Sequence, residues 1–448
     1  MLAIASFTSA ACQSILAPFY PRVAEFKGVT PSQYGFVFGI HRLIMCLFSP
    51  FYGKYMNKIG PKFMFNVGLF TTGATSVLFG YLDDTATTAD FLSLSFAVRI
   101  VGAILGAGFT TARNSITASE FPNSVGTIFA TMETCFGMGQ FAGPTVGGAL
   151  YEIGGYRLPF IVLGVVLVFV TGMSMAILPM DPVIEEDDEG NSKKNTQPSM
   201  LAALKVPAIA FFAVSIIFES FSSGFLQATL EPHLRQLQLS PLKMGFMFVL
   251  NGGAYALTAP LWGILSDKFK VPARVLVFIG AILVSISFLL VGPAPFIPLE
   301  TTIPLCVVAL IFLGVGCSAE LVATFSGSLA AAHEAGFPED LSTCGLISGI
   351  WASSFALGSF VGPSVGGAAL EFFGFKWASQ IVVAMHTLLA VVTAFLMLSG
   401  NRKEAKDCLI ESVPLVGSKE KKRGHNSTYG SLESSLSDYG SISSLSIK

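Results

Sequence analysis

Six ionisable residues stand inside long apolar runs of this chain: His41, Arg42, Arg99, Glu133, Glu219 and Glu320. A formal charge at the centre of a membrane-spanning helix costs roughly 2.5 to 3.5 kcal/mol on insertion scales, so five left facing lipid would cost on the order of 15 kcal/mol. They must face a wet cavity or one another. A carboxylate in such a place is neutralised either by a proton or by a cation, and competition between the two is the chemistry of proton-coupled exchange. Glu133 and Glu320 each lie ~15 Å along their helices from the cytoplasmic end, by the rise per helical residue. This sets one acid near mid-membrane in each half, and these two are the candidates for cation binding and proton exchange. Glu219, His41, Arg42 and Arg99 are cavity or network residues. The alternative for Glu133 is an ion pair with Arg99 or Arg42 that only fixes helix register. Glu133, Gly137, Gln140 and Pro144 share a stripe at helical spacing that can line a cavity. Gly139, Gly143 and Gly147 lie four apart on a face turned roughly 80° away, where another helix can approach closely.

Such residues need long apolar helices to carry them, and the composition supplies these. Of 448 residues 52% are hydrophobic and only 12% charged, against ~25% in soluble domains. The net charge of -2 excludes a nucleic-acid-binding face. The seven cysteines are scattered without a CxxC pair, so neither a disulfide framework nor a metal site is signalled. Runs long enough to cross ~30 Å of hydrocarbon occupy 1–20, 31–56, 62–82, 91–118, 124–152, 156–178, 205–230, 241–266, 273–292, 302–331, 341–371 and 376–399. The first is read as a span and not a cleaved signal, because Pro21, Arg22 and Glu25 follow without a small-residue cleavage pattern; a short cytoplasmic leader would be consistent with its abrupt start. Basic residues gather after the second, sixth and eighth spans, including Lys54, Lys58, Lys62, Lys193, Lys194, Lys268 and Lys270, which predicts that both ends of the chain face the cytoplasm.

An internal repeat organises the whole. Thr30-Pro31, Gly35, Phe36, Phe38, Pro50 and Gly53 return 210 positions on as Ser240-Pro241, Gly245, Phe246, Phe248, Pro260 and Gly263. Gly143-Pro144-Thr145-Val146-Gly147-Gly148 returns as Gly362-Pro363-Ser364-Val365-Gly366-Gly367. The expected fold is an all-α membrane protein of twelve transmembrane helices in two pseudo-symmetric six-helix bundles, residues 1–180 and 205–400. A polar cytoplasmic linker at 181–204 and a disordered Ser-rich cytoplasmic tail at 401–448 complete it.

The loop Gly53-Lys-Tyr-Met-Asn57-Lys58-Ile-Gly60-Pro-Lys62 and its counterpart Gly263-Ile-Leu-Ser-Asp267-Lys268 resemble the gating loops of the major facilitator superfamily. The resemblance implies that the acid sits against a helix N-terminus and the lysines latch one conformation; Asn57 in place of the acid weakens the first copy. The Gly-Pro-x-x-Gly-Gly element resembles the fifth-helix signature of the superfamily's antiporters, in which Pro144 and Pro363 bend the helix and the glycines seal the path without touching substrate.

The stretch Phe121-Pro122-Asn123-Ser124-Val125, then Met132-Glu133-Thr134, Gly155-Tyr156 and Pro159 to Gly164, is similar to the vesicular amine transporter family, nearest its polyamine branch; Ala332-His333-Glu334, Gly336-Phe337 and Leu341-Ser342-Thr343 match as well. The resemblance implies a proton-coupled antiporter that loads an organic cation, spermidine or spermine, into an acidic vesicle lumen. Residues 1–20 lack the acid of the monoamine members, whose tenth-helix acid aligns with Glu320 and whose eleventh-helix acid falls on Ala352. Glu133 matches an acid of the polyamine branch, while Gly102 and the region of Gln227 depart from it.

The alternatives are a broad organic-cation or drug/proton antiporter of the plasma membrane, or a non-transporting sensor or scaffold of the same fold. The chain is not expected to be an enzyme: His333-Glu334 lacks the second zincin histidine, and neither a phosphate loop nor a dinucleotide fingerprint occurs. No cofactor is expected, the proton gradient being the energy source. The expected partners are a small organic cation, protons and the lipid bilayer, with sorting adaptors at Tyr429, Tyr439 or Leu409-Ile410, and a monomeric state. Asn426-Ser427-Thr428 fits a glycosylation triplet on the wrong side of the membrane.

Overall fold

The computed structural model describes residues 1–120, 125–178, 200–338 and 341–411; a few side chains within these, among them Asn57, Glu133 and Asp267, lie outside the description. Most of the expected linker, the Tyr429 and Tyr439 signals and the Asn426 triplet also lie outside the described residues. Leu409 and Ile410 fall within the last helix.

Among the described residues thirteen α-helices follow one another: α1 Leu2–Ser14, α2 Tyr20–Phe26, α3 Pro31–Ile59, α4 Pro61–Gly80, α5 Thr88–Glu120, α6 Val125–Gly154, α7 Arg157–Ile177, α8 Met200–Leu204, α9 Pro207–Leu234, α10 Pro241–Asp267, α11 Ala273–Val291, α12 Ile303–Glu334 and α13 Leu341–Glu411. Nine stretches among them are long and apolar enough to cross a membrane. The last, Thr343–Ser399, breaks at Gly374 and makes two crossings. With α1 and α6 the count is twelve.

Local chemistry explains the boundaries. Thr30 caps α3 with a reciprocal box to Gln33 and Pro31 opens the helix, while at α10 Ser240 accepts the Lys243 N–H and Pro241 opens the helix. The repeat extends to the backbone: Gly155 and Gly374, separated like Gly143 and Gly362, both take positive φ, 68° and 70°, the left-handed conformation that glycine adopts without strain.

Two expectations need correction. The first span is not one helix over 1–20, because α1 stops at Ser14 and turns run to Phe19; Pro18 has no N–H to continue the ladder. The tail, expected to be irregular from 401, begins as helix, since the leg after the break at Gly374 runs on to Glu411; the break itself separates the eleventh and twelfth spans where expected.

The molecule divides into Met1–Leu398 and a second unit, Ser399–Lys448. Within the first unit α1 packs on α6 and α7, α4 on α5 and α7, and α3 on α5; in the second bundle α9, α10 and α11 pack on α12. The glycine face is a packing seam, as its spacing predicts. A Cβ on Gly143 would meet the Ala11 carbonyl of α1 at 2.6 Å, and Gly139 and Gly147 meet Phe7 and Ile15 one turn to either side. Gly358, Gly362 and Gly366 repeat this against Ile217, Phe221 and Phe225 of α9. Replacement of Gly143 by Leu should therefore lower the melting temperature in detergent, at a cost of about 1–3 kcal/mol for overpacking. Gly137→Ala, whose Cβ meets nothing within 4 Å, should hold or raise it. Thermal melts followed by size exclusion check both.

Candidate functional site

The second bundle holds a dry polar cluster. Glu219 on α9 and Glu320 on α12 are 3% and 0% exposed, and their charges lie close enough to act on one another. His386, on the second leg of α13, places Nδ1 3.0 Å from Glu320 Oε1. Its Nε2 lies 2.8 Å from Ser222 Oγ and 3.3 Å from the Phe218 carbonyl. Ser222 Oγ lies 2.9 Å from that same carbonyl, so its one hydrogen goes either there or to Nε2. With the hydroxyl turned to the carbonyl, both neighbours of Nε2 accept and Nε2 carries a hydrogen.

The consequence falls on the other nitrogen. In that arrangement a neutral imidazole has a bare Nδ1 and Glu320 is the protonated acid; with the Ser222 hydroxyl turned to Nε2, Nδ1 carries the hydrogen and donates it to the Glu320 carboxylate. Either way one hydrogen lies between His386 and Glu320. Glu219 sits against the Cys317 thiol, and one oxygen of each acid, Glu219 Oε2 and Glu320 Oε2, is buried without a partner. Gly280 of α11 lets its helix close over the cluster, since a Cβ there would meet Glu320 Cγ at 2.6 Å. Both acids are thus shut away from solvent. His386 was missed in the sequence, although an ionisable residue in the middle of the twelfth apolar run is the same signal that singled out the other six.

The first bundle carries a separate group. His41 and Arg99 are 7% and 8% exposed, with His41 Nδ1 3.4 Å from the Arg99 carbonyl and the Arg99 guanidinium 5.7 Å from the Phe79 ring centre. Both line a cavity of about 40 Å³. Arg42 lies over Phe136 at 5.7 Å, and Gln140 is half-buried with Nε2 unpartnered. Glu133 is on α6, with its side chain outside the described residues. Arg113, also missed, is 2% exposed and donates to Ser6 at 3.3 Å. Among the described residues no hydrogen bond or ion pair joins His41 and Arg99 to Glu219 and Glu320. At the gating loops Lys58 and Lys268 are exposed and Gly53 and Gly263 face open space; the Asn57 and Asp267 side chains lie outside the described residues.

The two bundles meet through the repeat itself. The start of α10 lies on the Gly-Pro-x-x-Gly-Gly element of α6, where a Cβ on Gly245 would meet the Pro144 carbonyl at 2.6 Å, and Gly148 faces Pro241. The start of α3 lies likewise on α13 through Gly35, Pro363 and Gly367. Each junction is closed by a carboxylate from the opposite bundle. Glu152 accepts the Leu242 N–H at 3.0 Å, and Glu371 accepts the Ser32 N–H at 2.9 Å. Both are anions at helix N-termini, where backbone donors and the helix dipole favour negative charge. At the same end Arg235 pairs with Glu25 of the first bundle and, at 2.7 Å, with Glu231, while Tyr34 donates to Glu25 at 3.2 Å. Glu231 is a buried acid, 3% exposed. Beneath this network lies a cavity of about 380 Å³ lined by Arg22, Tyr151, Glu231, Arg235 and Gln238.

Twelve crossings in two related bundles, joined at pseudo-symmetric seams around buried acids, define a secondary membrane transporter. The chain belongs to the Major Facilitator Superfamily, whose model matches residues 2–338 and 212–417. It is similar to the MFS-type transporter SLC18B1 of Homo sapiens, with 37% identity over 88% of this chain and 85% of the relative. The chromaffin granule amine transporter of Rattus norvegicus is 25% identical over 87% of this chain and 70% of its own length. Among solved structures, a bacterial homologue of the human lysosomal transporter Spinster, inward-facing and unoccupied, shares the fold with a TM-score of 0.69 at 16% identity, covering 91% of this chain and 96% of its own.

The paired caps predict a conformational shift. Removing both by Glu152→Ala and Glu371→Ala takes an acceptor from the first turn of a helix at each seam, so the double variant should shift the population from the closed toward the open seam. Spin labels at Lys27→Cys and Gln238→Cys in a cysteine-free background should report a longer distance in the double variant.

Proposed function

We propose that this transporter is a proton-coupled antiporter of organic cations, with polyamines such as spermidine and spermine as substrates, which loads an acidic vesicle lumen by alternating access of its two bundles. The observation that carries the reading is the hydrogen held between His386 and Glu320 beside a second buried acid. Two carboxylates in a dry core repel one another and lose their hydration, so the cluster needs a proton or a cation to neutralise it. An ammonium group that reaches Glu320 takes over that role, and the proton is free to leave. Exchange of one for the other is antiport.

The similarity to amine transporters supports an amine as the cation. Lys54, Lys58, Lys62, Lys268 and Lys270, at the end away from Glu25 and Arg235, support a cytoplasmic position for that end and for both termini. On this reading the glutamate-capped seam faces the lumen. Glu133 would supply the first bundle's carboxylate, and separated acids suit a long substrate with several ammonium groups. In the described state Glu219 and Glu320 are closed from solvent, which is the proton-loaded form; the amine is bound once the cluster opens.

Proteoliposomes with an acidic interior should accumulate labelled spermidine in preference to serotonin. Glu320→Gln should abolish the gradient-driven part while retaining correctly folded, monodisperse protein. Serotonin uptake without spermidine uptake would overturn the substrate, and undiminished gradient-driven uptake by Glu320→Gln would overturn the coupling site.

A further inference from the structure

Arg99 is a guanidinium buried in the first bundle without a counter-charge. None of its N–H groups meets an acceptor among the described residues, and Nε is fully enclosed. The charged and titratable groups that act on it are Tyr20, Arg42 and Tyr156, and no carboxylate is among them. An arginine cannot lose its proton to escape this situation. An isolated charge in a dry core is costly enough that buried charges are found paired. The cluster instead adds polar atoms that also lack partners: His41 Nε2 and Gln13 Oε1 are enclosed and unbonded. All three side chains line the same cavity, between α1, α3, α4 and α5, with Thr72, Thr75 and Ser76 on its wall.

Size and charge decide what fits. The cavity measures about 40 Å³, above the ~10–15 Å³ that one water needs by the same measure, so a halide-sized ion has room in it. The guanidinium beside it, with Arg42 close by, repels a cation. Its unmet N–H donors call for an acceptor that carries negative charge. The Gln13 amide, turned over, adds a further donor. His41 Nδ1 donates to a carbonyl in the neutral ring, so its Nε2 is an acceptor and adds no donor.

We propose that this cavity is a binding site for one small monovalent anion, chloride being the test ligand, held by Arg99 with the Gln13 amide. The ion would neutralise Arg99 within the first bundle, and the site is independent of the amine reading, because it lies apart from Glu219, Glu320 and His386.

Purified full-length protein should capture radiolabelled chloride in a scintillation proximity assay, saturably and in competition with bromide but not with gluconate. Arg99→Gln should weaken capture roughly tenfold or more, the worth of hydrogen bonds to a charged group. At constant ionic strength the wild type should melt at a higher temperature in chloride than in gluconate, and Arg99→Gln should melt alike in both. The wild-type melts and the bromide competition decide the matter if that variant does not fold. Absence of capture together with identical wild-type melts would overturn the site and leave water as its occupant. Undiminished capture by Arg99→Gln would overturn it by placing the ion elsewhere.

Discussion

Charge cannot be hidden inside a membrane-spanning bundle without a neutralising neighbour, and most of the polar architecture here answers to that constraint. Glu320 is met by His386 and a shared hydrogen, with Glu219 beside it. Glu25 and Glu231 are met by Arg235. Glu152 and Glu371 are met by backbone N–H groups at the open ends of helices. The same rule that makes an unpaired ion costly makes each of these groups a point where binding, protonation or separation of the bundles changes the energy.

The helices serve this arrangement by coming close. Glycines at four-residue spacing bring α6 against α1 and α13 against α9, and the next glycines along bring each bundle against the first turn of a helix in the other. The contact is short because it is made by backbone, which leaves the helix N-termini exposed to the caps from across the seam. One repeated sequence element therefore holds each bundle together and sets where the two bundles meet. At the opposite end Gly53 and Gly263 face open space.

Much of this was legible in the sequence, for physical reasons. Apolar runs of bilayer length and Ser/Thr-Pro helix starts are local signals, and they located the crossings to within a few residues. The Gly139, Gly143 and Gly147 face was readable because helical spacing alone fixes which residues share a side. The break after Ser14 was less so, since Pro18 sits in a run that hydropathy treats as continuous. Pairings were the part that remained hidden. That Glu219 joins Glu320, and that His386 stands between α9 and α12, depends on how three distant helices are rotated against one another. Glu231 likewise reads as a loop-side acid until Arg235 and Glu25 are brought to it. Glu219 and Glu320, which the sequence marks only as acids inside apolar runs, are both buried, each with one oxygen unpartnered.

The account rests on a proton that an amine displaces, and counting protons tests it most directly. Binding of spermidine to the purified protein, measured by calorimetry in buffers of different ionisation enthalpy, should show net proton release that is smaller in Glu320→Gln. Binding whose heat is independent of the buffer, or equal proton release from wild type and variant, would contradict it.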